Sequence, residues 1–161
     1  MVGELRVELR PPTDLGRLYP TYKRRVDILS VGSRTARPWP LGLNVDNAVI
    51  LDLDADRRLA NFDLLIPRRA WRTSPGLAAP PVWRRADLAF AAETVAAKDF
   101  ATPVAVAAGD HKTRVLILFG ATKADARAGL PAGVRAVALS DACLALLTGQ
   151  LLAGFYVTLP R

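Results

Sequence analysis

The sequence predicts a mainly β fold, with α+β as the alternative, built from two similar β units. Three features carry that expectation. Apolar and polar residues alternate at period two in short runs, Gly, Pro and Asp bound those runs, and one stretch recurs across the chain. Residues 59–68 read LANFDLLIPR and residues 152–161 read LAGFYVTLPR, with five of ten positions identical. Upstream, Asp46 and Asp141 each lead an apolar run, and VDILSVG (26–32) matches RVLILFG (114–120) in pattern. The units are 1–68 and 69–161, packed as one globular domain, with a Pro-rich junction at 73–81. Each unit ends in a β-hairpin.

The elements follow in order. Glu4, Arg6, Glu8 and Arg10 alternate with Leu5, Val7 and Leu9, the period of a half-buried strand over 4–10. A strand is expected over 23–31; its alternation would send Lys23, Arg24 and Arg25 to opposite faces. Strands over 47–53 and 58–66 flank a turn near Asp54–Arg57. Residues 87–98 read as a helix capped by Asp87, with Leu88, Ala91, Ala92 and Val95 as its apolar positions. Strands over 103–108 and 113–119 precede a short helix at 123–128, bounded by Thr122, Asp125 and Gly129. Strands at 134–139, 142–147 and 151–159 complete the chain. Residues 142–159 carry no charge over 18 positions, about the lower limit for a membrane helix. The repeat makes them a hairpin turning at Thr148-Gly149 instead, so no membrane association is expected.

The 161 residues carry a net charge of +7, with 22 basic and 15 acidic residues. Residues 1–85 hold fifteen basic and nine acidic residues, so an electropositive face belongs mostly to the first half. Eighteen of the basic residues are Arg, and Arg with abundant Ala is what a GC-rich coding sequence produces; a bacterial protein is expected. The hairpin pattern resembles that of short bacterial β-domains over a small part of each unit, a resemblance that implies no activity. The start, Met-Val-Gly-Glu-Leu-Arg, has no apolar signal region, so a cytoplasmic protein is expected.

One cysteine and one histidine exclude an internal disulfide framework, a Cys-based zinc site and a histidine cluster within one chain. There is no P-loop, no G-x-G-x-x-G and no G-x-S-x-G setting for Ser30, Ser33, Ser74 or Ser140. Asp52, Asp54, Asp56 and Asp63 approach a calcium-loop spacing, but Arg57 stands where the turn needs Gly, and no metal is expected. His111 reads as a loop histidine, and Cys143 as a small buried residue aligned with Ala48. No catalytic residue and no cofactor are assigned.

The basic clusters are interleaved with aromatic residues. They nominate Arg24, Arg25, Arg68, Arg69, Trp71, Arg72, Trp83, Arg84 and Arg85 as binding residues, near Tyr19 and Tyr22. Arg beside Trp or Tyr suits a protein interface and suits phosphate contact with base stacking. The expected function is a non-enzymatic macromolecule-binding protein, of which an antitoxin- or immunity-like partner binder is one form. A basic nucleic-acid binder is the alternative, and a hydrolase with a carboxylate pair is the third reading. Another protein is the expected partner, with nucleic acid the second choice and a homo-oligomer left open.

Overall fold

A computed structural model describes residues 4–14, 17–33, 39–109, 112–120 and 123–160. Among the described residues the protein is mainly β, with two short α-helices. The alternating sequence sends Leu29, Val31, Leu43, Val45, Val49, Leu51, Phe62 and Leu64 to one face of a six-stranded sheet. That sheet contains β2 (Tyr19–Lys23), β3 (Ile28–Gly32), β4 (Leu41–Val45), β5 (Val49–Leu53), β6 (Leu59–Leu64) and β10 (Asp99–Phe100), in the order β10-β4-β5-β6-β3-β2. A seven-stranded sheet contains β7 (Arg72–Thr73), β8 (Val82–Arg85), β11 (Val104–Ala108), β12 (Arg114–Phe119), β13 (Arg135–Ala138), β14 (Cys143–Thr148) and β15 (Leu151–Thr158). Its order is β7-β11-β12-β15-β14-β13-β8. One apolar cluster joins residues of both sheets, including Phe62, Ile117 and Phe155.

Five strands of each sheet follow the same antiparallel order: β2-β3-β6-β5-β4 in one, β11-β12-β15-β14-β13 in the other. The halves also hold each other reciprocally. β1 (Val7–Arg10) pairs with β9 (Asp87–Phe90). The Val7 N–H donates to the Gln150 carbonyl at 2.8 Å, and the Phe90 N–H donates to the Arg57 carbonyl at 2.9 Å. Gln150 and Arg57 occupy the two corresponding hairpin turns, so each half contributes a strand to the other half's hairpin.

The registers correct the alignment of the two halves. Val31 faces Phe62, and Ile117 faces Phe155, so Val31 corresponds to Ile117 rather than to Phe119. Likewise Cys143 corresponds to Val49, not Ala48, since they face Val157 and Leu64. The first match errs by two because alternating apolar residues match themselves when slid by one strand period, and the second errs by one.

Other expectations also change. The strand expected over 23–31 is a hairpin, β2–β3, whose turn occupies residues 24–27 with Asp27 at φ 55°. Residues 41–45 form β4, unforeseen, and turn into β5 through Asp46 and Asn47 at φ 52° and 55°. Both Asp and Asn tolerate this left-handed conformation. The helix expected over 87–98 is helical only over α1 (Ala92–Ala97). Asp87 does not cap it: the carboxylate is buried, accepts the N–H and hydroxyl of Thr13, and faces Arg58 Nε at 3.4 Å. Tertiary pairing of 87–90 with β1 overrides the helix propensity of Ala and Leu there. The second helix, α2 (Lys123–Arg127), lies where expected.

Residues 142–159 form the β14–β15 hairpin, turning at Gly149 with φ 60°. Among the described residues no helix is long and apolar enough to cross a membrane. Asp110, His111 and Thr122 lie outside the described residues.

The outer faces of the two sheets differ. On the seven-stranded sheet, Leu116, Leu118, Leu144, Leu146 and Tyr156 pack in a second apolar cluster with Ala126 of α2. On the six-stranded sheet, the outward residues include Ser30, Asp52, Asn61 and Asp63.

Candidate partner-binding site

β8 ends the seven-stranded sheet, and all four of its residues are exposed. The reason lies in its neighbours. The β1–β9 ladder runs from Val7↔Phe90 to Arg10↔Asp87, and Pro11 and Pro12 follow. Proline has no N–H, so β1 cannot continue the ladder past Asp87 along β8.

The pairing of β8 with β13 is parallel and irregular: Val82 faces Ala136 and Arg84 faces Val137. Trp83 is the extra residue of that bulge. A bulge re-aims a side chain and blunts an edge strand against further pairing. Trp83 is 49% exposed, and two guanidinium groups approach its ring. The Arg135 Cζ lies 4.6 Å from the ring centroid and the Arg84 Cζ 5.4 Å. Such cation–π contacts contribute roughly 0.5–1 kcal/mol each at exposed sites. Neither Arg84 nor Arg135 pairs with a carboxylate among the described residues.

Trp83 also walls a groove of about 410 Å³, lined in part by Val7, Leu9, Leu147, Gly149 and Gln150. Two acids moderate the charge. Glu8 borders the groove and pairs with Arg10 at 2.8 Å and Arg57 at 3.7 Å. The Arg10 hydrogen bond, helped by the Arg57 charge, holds the Glu8 carboxyl below its ordinary value. Arg85 faces Asp141 at 3.4 Å.

The other nominated residues gather elsewhere. Arg24 and Arg25 are exposed in the β2–β3 turn, at the edge of the six-stranded sheet. Arg68 lies in a single 3-10 turn (Arg68–Ala70) with its Cζ 5.2 Å from the Tyr22 ring centroid. Its N–H donates to Asp27 Oδ1 at 3.1 Å, and the Tyr22 hydroxyl donates to the same oxygen. These bonds hold the Asp27 carboxyl low and raise the Tyr22 phenol. Arg69 and Arg72 are exposed.

Trp71 behaves differently from its neighbours. It is 5% exposed, belongs to the core, and donates its Nε1–H to the Ile66 carbonyl at 3.0 Å. That ring is not accessible without opening the fold, so of the two nominated tryptophans only Trp83 is exposed. Sequence reasoning missed Arg135. Nothing local ties position 135 to position 83; only the parallel β8–β13 pairing brings them together.

Cys143 is fully buried, and burial raises its thiol far above the ordinary value. It has the environment of a packing residue rather than a nucleophile. Among the described residues no group of three or more His, Cys, Asp or Glu could hold a metal ion.

No protein-family model matches the chain, and no curated protein matches it at a significant level.

Proposed function

We propose that this chain binds another protein through the Trp83 patch, as a non-enzymatic partner binder, with an antitoxin- or immunity-like protein one concrete form. The observation that carries the reading is an exposed Trp83 ring held beside two guanidinium groups that lack carboxylate partners among the described residues. Trp and Arg dominate binding hot spots, because a large rigid ring and a planar fork bury area and hydrogen bonds at low entropic cost. The unpaired guanidiniums favour a partner surface that places carboxylates around a pocket for the ring.

Two alternatives fit less well. A second copy paired edge to edge would set Arg84 and Arg85 against their own equivalents, and the bulge at Trp83 interrupts the ladder. A nucleic-acid backbone needs a continuous basic track. Here the basic clusters sit at the edges of two different sheets, and Glu8 and Asp141 stand inside the patch.

The test is a salt titration. Binding to a mixed-sequence oligonucleotide should be weak and lost by about physiological ionic strength, as counterion release requires of a non-specific contact. Tight oligonucleotide binding that survives such salt, discriminates sequence and vanishes in Arg84→Glu would replace this reading with a nucleic-acid reader.

A further inference from the structure

The groove beside Trp83 is built where three chain segments meet. Val7 and Leu9 are the more buried apolar residues of β1, and Arg6 and Glu8 stand exposed at the rim. The Val7 N–H on the Gln150 carbonyl holds β1 against the β14–β15 turn. The Ala91 N–H donates to the Arg6 carbonyl at 3.0 Å and closes the side toward α1. Leu147, 3% exposed, and the Trp83 ring complete the apolar lining. At Gly149 a Cβ would meet nothing within 4 Å, so the groove stays open at the turn. Its volume of about 410 Å³ admits a large apolar side chain together with the backbone that carries it.

The charges at the rim are paired, and those over the ring are not. Arg6 faces Glu4 at 3.2 Å and Glu93 at 3.8 Å. Glu8 faces Arg10 and Arg57. Each of these three carboxylates therefore already has a guanidinium, while Arg84 and Arg135 have no carboxylate among the described residues. Val82, the neighbour of Trp83 on β8, is exposed as well. Adjoining exposed apolar side chains mark interaction surfaces.

We propose that this groove receives a linear acidic segment of the partner. One large aliphatic or aromatic side chain of that segment seats against Trp83 and Leu147, and carboxylates flanking it meet Arg84 and Arg135. The inference rests on the docking reading of Trp83 and adds the chemistry of what docks. Charge complementarity selects this occupant. A basic segment would set like charges against the two free guanidiniums, and a second copy of this +7 chain would be repelled as a whole. An acidic segment with no large apolar residue would leave the groove and the ring uncovered.

The full chain is panned against a random peptide library displayed on phage, and a synthetic consensus peptide is titrated by fluorescence anisotropy at about physiological ionic strength. The enriched peptides should share one large apolar residue with acids on either side. Affinity should fall roughly tenfold or more in Trp83→Ala and in the double variant Arg84→Glu with Arg135→Glu. Replacing the apolar residue of the peptide by serine should cost about as much. Ala91→Phe fills the groove without changing a charge and should also weaken binding. Glu8→Gln removes the acid at the rim and should tighten binding severalfold, a change opposite in sign to any loss of fold.

The proposal is overturned if no consensus emerges, if the enriched peptides are basic or lack acids, if affinity ignores Trp83, or if Glu8→Gln weakens binding. Displacement of the peptide by a mixed-sequence oligonucleotide at the same salt would assign the groove to nucleic acid. A dimer seen by light scattering and lost in Trp83→Ala would assign it to a second copy; either result overturns the proposal. The two readings fail separately. A cellular protein that docks through Trp83 while no acidic consensus emerges removes only the segment chemistry, and a consensus that binds without Trp83 removes both.

Discussion

Phe62 and Phe155 stack on each other at the centre of the protein, with ring centroids 4.1 Å apart and planes 17° from parallel. They occupy corresponding positions on β6 and β15, each on the middle strand of the shared five-strand order. Phe62 faces Val31 and Leu51 across its ladders; Phe155 faces Ile117 and Ala145. The two repeated sequence segments therefore meet at their common aromatic residue. Both rings are fully buried. Phe62→Ala or Phe155→Ala should each cost about 3–5 kcal/mol, from lost transfer energy and the cavity left behind. The double variant should cost less than the sum, because each single change already breaks the stack. Chemical denaturation of the three variants measures this, and strict additivity would show that the rings do not couple.

Two glycines make opposite predictions. A Cβ at Gly154 would lie 1.9 Å from the Ile117 carbonyl oxygen, which is backbone in the central β12–β15 ladder. Gly154→Ala must shift that ladder and should be severely destabilising. At Gly32 the obstacle is the end of the Asn61 side chain, which can rotate away. Gly32→Ala should fold with a modest loss, yet turn the Asn61 amide off Asp52 and Asp63, to which it donates. Melting temperatures of the pair rank them, and equal losses would contradict the assignment.

Cys143 should resist alkylation in the native state, since burial holds the thiol neutral and out of reach. Its folded pKa lies above the ordinary thiol value because burial disfavours the thiolate. The unfolded thiol thus ionises first as pH rises, and this residue's contribution to stability falls above about pH 9. Labelling by iodoacetamide should follow global unfolding across a denaturant series. Fast labelling of folded protein would mean that β14 opens locally.

Asp27 ties the β2–β3 turn to the Arg68 turn through Tyr22 and the Arg68 N–H. Its folded pKa is lowered, so its stabilising contribution is present above the ordinary carboxylate range and lost as pH falls through the folded value. Asp27→Asn should flatten the acid limb of the stability curve while leaving neutral pH less stable. An unchanged acid limb would show that Asp27 gains nothing from these bonds.

Much of the fold is legible in the chain. The half-buried alternation of β1 and the hairpins β5–β6 and β14–β15 follow from local pattern, and the repeat correctly converts the Ala- and Leu-rich 142–147 into strand. The misses are non-local. β9 looks helical until β1 pairs with it, and β8 carries no strand signal apart from its partner β13. The β2–β3 turn escapes notice because Arg24 and Arg25 carry no Gly or Pro signature and Asp27 alone supplies the left-handed residue. The site shows the same division. Trp83, Arg84 and Arg85 are visible as a cluster in sequence, whereas Arg135 and the groove wall arrive from across the sheet. Trp71 and Trp83 look equivalent in sequence; only packing separates a core ring from an exposed one.

The claim that Trp83 is a docking anchor is tested most directly by replacing it with a photo-crosslinking phenylalanine analogue and irradiating cells. The same analogue at Ala96, exposed on α1, serves as the control. A discrete protein adduct should form from position 83, be absent from position 96, and disappear when Arg84 and Arg135 are both changed to Glu. Adducts only to nucleic acid, or a pattern from position 83 indistinguishable from position 96, would contradict the account.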